Sequence, residues 1–169
     1  MYAAGRFYSL SYQDTKTYLF SLLFIAGNIL LPQLCHLFHL GGVIWLPIFF
    51  FTLIGAYKYG IWVGLLTAVL SPVINSVAFG MPPAVILPEM ILKSALLAMG
   101  AAYVAKQTKK VSFIGILLCI LGYQMIGSGV EMLAGADPAH ILNSLKLGIP
   151  GMTVQLLGGF GLLKLIQKI

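Results

Sequence analysis

Apolar residues occur along this chain in long continuous runs that are separated by short polar stretches. The six runs fall at about residues 17–34, 42–57, 60–79, 83–105, 111–134 and 147–166. An α-helix needs about 20 apolar residues to cross a hydrocarbon core of about 30 Å. The runs lack the ten-residue alternation of barrel strands, and glycine and proline interrupt them as membrane helices allow. The pattern therefore predicts an all-α bundle of six transmembrane helices.

The second run is the shortest of the six and contains Pro47. We expect this helix to be tilted, bent or partly interfacial, because it is short for a bilayer crossing. The remaining segments leave no room for a separate soluble domain. Residues 1–169 are thus predicted to form a single transmembrane domain in the cytoplasmic membrane.

Composition agrees with a membrane protein and excludes a soluble globular domain. The 169 residues are 60% hydrophobic and 8% charged, against about 45–50% and about 25% in globular domains. The net charge of +6 would suggest nucleic acid in a soluble protein. Membrane proteins, however, collect Lys and Arg on their cytoplasmic side for topological reasons, so we expect no nucleic-acid partner.

Basic residues predict the orientation of the six helices. If the helices alternate in direction, one side receives only Lys146. The other side receives Arg6, Lys16, Lys58, Lys106, Lys109, Lys110, Lys164 and Lys168. By the positive-inside rule this second side is cytoplasmic, and both termini are predicted to lie there.

Two ionisable residues in the fourth run, Glu89 and Lys93, mark a candidate binding site. A charge near the bilayer centre costs at least about 2.5 kcal/mol, and a spacing of four puts both on one helix face. They form either a structural ion pair that faces the bundle or contacts for the two ends of a polar or zwitterionic ligand.

Small and polar residues also recur at helical spacing in the third and fifth runs. These stripes are Gly60, Gly64, Thr67, Ser71 and Asn75, and then Gln124, Ser128 and Glu131. Such stripes usually form contacts between helices, which suits the first part of the third run. Asn75 and Glu131 lie toward the predicted external ends, so we expect them near Glu89 in a ligand pocket, with Gln124 as a further substrate contact.

Histidines occur only in the predicted external segments. His36 and His39 are three residues apart, and Asp137 and His140 repeat that spacing in the segment 135–146. Four such ligands could hold zinc or nickel, but we expect no metal. The histidines are interpreted instead as ligand contacts, with the first external loop closing over a ligand, or as interfacial residues beside Trp45.

Catalytic and nucleotide-binding motifs are missing from the sequence. Gly158, Gly159 and Gly161 follow no strand and precede no Lys-Ser pair, so they indicate helix packing and not a phosphate loop. There is no GxSxG, HExxH or Walker sequence, and Cys35 and Cys119 make no disulfide framework. We expect a protein that is not an enzyme.

The stretch from residue 31 to 83 resembles the substrate-binding S component of an energy-coupling factor (ECF) vitamin transporter. The resemblance is carried by an external loop, a short second helix, the GIWVGLLT run from Gly60 to Thr67, the Ser71-Pro72 break and the FGMPP turn that ends at Pro83. It implies capture of a vitamin or related micronutrient on the outer side. The protein would then deliver it with a membrane coupling subunit and two cytosolic ATPases.

The resemblance also implies a coupling surface on the first helix, where the nearest match to a pattern of small residues is Thr17, Ser21 and Ala26. The ligand stays open. His36 and His39 suit the metal of a tetrapyrrole such as cobalamin or haem, whereas Glu89, Lys93, Trp45 and Asn75 suit a smaller heterocyclic vitamin. A structural scaffold of the cell envelope and a solitary permease are the alternative functions.

Overall fold

The computed structural model describes residues 9–35 and 44–167, which fold as helices without strands. Seven helices have both of their ends within these ranges. They are α1 (Thr15–Cys35), α2 (Phe50–Tyr59), α3 (Ile61–Phe79), α4 (Leu87–Thr108), α5 (Phe113–Leu133), α6 (Pro138–Leu147) and α7 (Ile149–Ile166). The predicted all-α fold is confirmed for the described residues.

Five of these helices, α1, α3, α4, α5 and α7, are long and apolar enough to cross a membrane. Their outward sides are rich in exposed leucine, isoleucine and valine, as expected where lipid replaces water. The chain is therefore a multi-pass membrane protein. The sixth predicted span, 42–57, corresponds in its described part to a shorter element, so the count of six stays a prediction.

Helix α2 is this short element, and it lies inside the bundle. A 3-10 turn, Pro47–Phe49, precedes it, and all residues from Thr52 to Lys58 are buried against α1, α3, α4 and α7. Leu46 has a left-handed backbone (φ 47°), which interrupts a right-handed helix, and the 3-10 turn follows it. The α-helix therefore begins only at Phe50, later than the apolar run predicts.

Asn28 of α1 supplies the cap that α2 lacks in its own sequence. The N-cap residue of α2, Phe49, has no side chain that can accept a hydrogen bond. Asn28 Oδ1 instead accepts from Phe51 N at 3.2 Å, while its amide nitrogen donates to Thr52 Oγ1 at 3.0 Å and Ser71 Oγ at 3.3 Å. One buried amide thus holds α1, α2 and α3 together.

The two ends of the bundle differ in charge. The end where α2, α4 and α7 finish, which we call the basic end, carries Lys16, Lys58, Lys106, Lys109, Lys110 and Lys164. Leu10 N donates to Tyr59 O at 3.1 Å there, and Lys58 Nζ donates to Ile166 O at 2.9 Å. Leu10 and Ile166 therefore each bond to the end of α2 at the basic end.

The opposite end is partly covered by a helix that the apolar pattern does not predict. The sequence predicts segment 135–146 as an external connection, but most of it lies in α6. Asp137 Oδ1 accepts from Ala139 N at 3.0 Å, and Pro138 occupies the first helical position, where a missing N–H costs nothing. Only Ile141 of α6 is buried, so this helix covers the bundle instead of entering it.

A charged cavity at the end of the bundle

A cavity of about 890 Å³ lies at the end of the bundle opposite the basic end. Its walls come from the end of α1, the 3-10 turn, the end of α3, the start of α4, the end of α5 and one side of α6. This volume falls in the range of about 300–1,000 Å³ that is typical of small-molecule sites. Five of the predicted substrate-binding residues line it: Asn75, Glu89, Lys93, Gln124 and Glu131.

Lys93 is the centre of a three-residue charge cluster in this cavity. Its Nζ donates to Glu89 Oε1 at 2.9 Å, one turn earlier on α4. The same Nζ is in direct contact with Glu131 Oε1 of α5. The side chains of Lys93 and Glu131 are only 11% and 13% exposed. Glu89 and Lys93 thus form an ion pair that faces the bundle, and a second carboxylate joins it; the alternative role as ligand contacts stays a prediction.

Gly127 of α5 is what lets the Lys93 side chain pass between the two helices. A Cβ at Gly127 would lie 2.5 Å from Lys93 Cγ and 2.8 Å from Lys93 Cε. Only a residue without a side chain leaves room for that stem. This role could not be predicted from the sequence, because it depends on which faces of α4 and α5 meet.

Ser128 is a cavity residue that the sequence placed in a polar stripe without assigning it a contact. It is 8% exposed and lines the cavity, and its Oγ has no hydrogen-bond partner in the described part of the chain. Buried hydroxyls normally find a partner. A hydroxyl without one, three residues before Glu131 on the same helix, is a candidate ligand contact.

Asn75 lines the cavity but is engaged in the fold. Its Nδ2 donates to Asn28 O and to Ser71 O, both at 3.0 Å, and its Oδ1 accepts from Gln33 Nε2 at 3.4 Å. The amide nitrogen has therefore used both of its hydrogens on the protein. A ligand could therefore bond to Asn75 only by donating a hydrogen bond to its Oδ1.

The other predicted site residues are not all near the cavity. Trp45 is half-exposed and does not line it, whereas its backbone packs on Gly151 of α7. Asp137 caps α6, and His140 lines the cavity with an exposed side chain. His36 and His39 lie outside the described residues. Among the described residues no three His, Cys, Asp or Glu side chains converge as a metal site would require.

Residues predicted to contact a coupling subunit lie on both sides of α1. Thr17 and Ser21 are buried in the bundle, and their hydroxyls donate to Ser11 O at 2.6 Å and Thr17 O at 2.7 Å. Ala26 is exposed. A partner on the outer face of α1 would therefore meet Ala26 and the exposed leucines Leu19, Leu22, Leu23 and Leu30, and not the two hydroxyls.

The basic end is joined by hydrogen bonds from a buried tyrosine of α2. Tyr57 Oη donates to Lys110 O at 2.9 Å and accepts from Ser112 N at 3.0 Å, which joins α2 to the connection between α4 and α5. Between this end and the cavity lie fully buried side chains, including Leu53, Ile54 and Leu97. The cavity is thus a cup with a packed floor.

Fold and cavity together define a multi-pass helical membrane protein with a ligand-sized cup at one end. Comparisons were made with protein-family models, with curated proteins and with solved structures, and none of the three gave a match to this chain.

Proposed function

We propose that this protein captures a small molecule at the cavity end and delivers it as the substrate-binding subunit of an ECF-type importer. The observation that carries the proposal is the cup of about 890 Å³ with a charge cluster and an unpartnered hydroxyl on its wall. Selective pockets combine mostly apolar walls with a few placed polar groups. The cup follows this pattern, since Pro, Ile, Leu, Met and Phe side chains make up more than half of its lining residues and the polar ones are contributed by α3, α4, α5 and α6.

The packed floor of the cup favours capture over a channel. A permeating solute would need to pass Leu53, Ile54 and Leu97, which are at most 1% exposed. A capture subunit needs no path of its own, because its partners move the substrate. On this proposal the partners are a membrane coupling subunit and two cytosolic ATPases, and the substrate is a vitamin or related micronutrient.

The positive-inside rule gives the orientation that this function requires. With six described lysines at the basic end, that end faces the cytoplasm and the cup faces outward.

The experiment that tests this orientation replaces Cys35 and Cys119 by Ser and introduces Ala139→Cys or Lys110→Cys, both at exposed positions. A membrane-impermeant maleimide should label residue 139 in intact cells and residue 110 only after lysis; the reverse pattern contradicts the proposed direction of capture.

Capture itself is tested by extracting small molecules from the purified protein and identifying them by mass spectrometry. We expect a molecule retained in stoichiometric amount by the unmodified chain and by Leu142→Trp, which lies on the exposed side of α6. Ser144→Trp, on the cavity side of the same helix, should lose it. Retention that does not distinguish the two variants, or no retained molecule at all, contradicts capture in this cup.

Reconstitution into liposomes distinguishes capture from the alternative function as a solitary permease. Liposomes that contain this protein alone should bind the released molecule without accumulating it in the lumen. Accumulation by the protein alone would show that no coupling partner is needed.

A further inference from the structure

We propose that the cup selects a small organic cation, such as a protonated amine or amidine, over neutral and anionic molecules of the same size; this inference rests on the proposed function. It comes from three features of the lining: its charge balance, the engagement of its lysine and the position of its unpartnered hydroxyl.

Charge balance is the first feature. Among the described lining residues, Glu89 and Glu131 carry two negative charges and Lys93 one positive charge. With the exposed His140 counted as neutral, the described lining holds a formal charge of −1. An unbalanced charge in an apolar surrounding is costly, and a monocation removes the imbalance.

The engagement of Lys93 is the second feature. Its Nζ touches both carboxylates, and its stem lies against Gly127. No other lysine or arginine lines the described part of the cup. An anionic ligand would therefore have to break an existing ion pair, because the described lining offers it no free lysine or arginine. A cation meets carboxylates whose remaining oxygen lone pairs can each accept a further N–H.

The position of Ser128 is the third feature. Its buried Oγ lacks a partner and lies one helical turn before Glu131, so both residues are on one face of α5. A ligand N–H that reaches the Glu131 carboxylate can also be accepted by this hydroxyl. Charge-assisted hydrogen bonds of this kind are stronger than those between neutral groups.

The test compares three probes that share one ring and differ in charge: benzylamine, benzyl alcohol and benzoate. Binding is measured by calorimetry on the full chain in nanodiscs, with empty nanodiscs subtracted, at about pH 8, where an ordinary imidazole is neutral. We expect benzylamine to bind at least about tenfold more tightly than benzyl alcohol, and benzoate to bind most weakly.

Glu131→Gln should remove this preference, whereas Asp137→Asn should keep it within about twofold. Asp137 has the same charge at the same end of the bundle, but it caps α6 and does not line the cup, and Asn caps as well as Asp. Equal loss in both variants would mean that general surface charge attracts the amine, and would overturn the inference.

The charge of the molecule that the purified protein retains is a second test of the cation preference. A retained cation supports the inference even if none of the probes displaces it. A retained anion or neutral molecule, or a benzyl alcohol affinity equal to that of benzylamine, overturns the cation preference and leaves capture standing. No retained molecule and no bound probe overturn both proposals.

Discussion

Two clusters of buried polar side chains serve different purposes in this bundle. The packing network consists of Asn28, Thr52, Ser71, Asn75 and Ser94, and the cavity cluster of Glu89, Lys93, Ser128 and Glu131. In the packing network each side chain bonds to another member or to backbone. In the cavity cluster one hydroxyl has no partner among the described residues and the charges do not balance.

This difference distinguishes polar side chains that stabilise the fold from polar side chains that are available to bind a ligand. Asn28, Thr52 and Ser71 are fully buried, so any unused hydrogen-bonding capacity there would cost stability without benefit. Glu89 is 38% exposed at the rim of the cup, where a ligand can donate the hydrogen bonds that the protein itself does not supply. Substitutions in the packing network should therefore change folding first, and substitutions in the cavity cluster should change binding first.

The largest effect on folding is expected for Asn28→Leu. This change removes the cap of Phe51 N and two hydrogen bonds to hydroxyls, and it leaves buried groups unpaired at about 1–3 kcal/mol each. We expect the free energy of unfolding, measured by denaturant titration in mixed micelles, to fall by about 2–4 kcal/mol.

The control for this prediction is Ser21→Ala. Ser21 is equally buried, but its hydroxyl bonds only to the carbonyl of Thr17 in its own helix. A loss of less than about 1 kcal/mol is expected there. A similar loss in both variants would mean that hydrophobic burial, and not the network, holds α1, α2 and α3 together.

The second prediction concerns the charge cluster. Lys93→Met leaves Glu89 and Glu131 without their cation, and it should lower the unfolding free energy by about 1–3 kcal/mol. The loss stays below that of a fully buried ion pair because the Glu89 side chain is 38% exposed. The triple change Glu89→Gln, Lys93→Met and Glu131→Gln removes all charge together and should restore stability to near that of the parent, while retention of the small molecule is lost. A triple variant no more stable than Lys93→Met would assign the cluster a structural role like that of the packing network.

The membrane-helix pattern could be predicted from the sequence because it depends on local composition. Helices α1, α3, α5 and α7 begin and end within about three residues of the predicted runs. The start of α2 was missed because it depends on the left-handed backbone of Leu46 and on a cap from another helix. Helix α6 was missed as a helix, although the Asp137-Pro138 pair is a recognisable start signal.

The candidate site was predictable in part for a similar reason. A spacing of four residues puts Glu89 and Lys93 on one face of any helix, so their pairing followed from sequence alone. The contact between Lys93 and Glu131 depends on how α4 and α5 are rotated against each other. The packing of α3 against α1 likewise decides the role of Asn75, which looks like a pocket residue in the sequence but donates to the backbone of Asn28 and of Ser71.

The third prediction tests the path of the Lys93 side chain. Gly127→Ala places a methyl group against Lys93 Cγ and Cε, so the flexible stem must shift and Nζ must move relative to Glu131. We expect ligand release to become several-fold faster with less than about 1 kcal/mol change in unfolding free energy, since a small overpacking at a mobile stem is readily relieved. Gly122→Ala on the same helix is the control, because its methyl group meets no atom within 4 Å; equal effects in the two variants would contradict the role of Gly127.

The smallest effect is expected at the cap of α6, which supplies one wall of the cup without contributing a charge to it. Asp137→Ala removes the side-chain acceptor of Ala139 N and should cost this helix about 1 kcal/mol. Because only Ile141 anchors α6 in the interior, the loss should appear as faster hydrogen exchange in residues 138–147 and not as a change in global unfolding. His140 and Ser144 move with that wall, so ligand release should quicken by about twofold, while Asp137→Asn, which keeps the cap, should match the parent in both measurements. Unchanged exchange in Asp137→Ala would mean that contacts with the rest of the bundle, and not its cap, hold α6 over the cup.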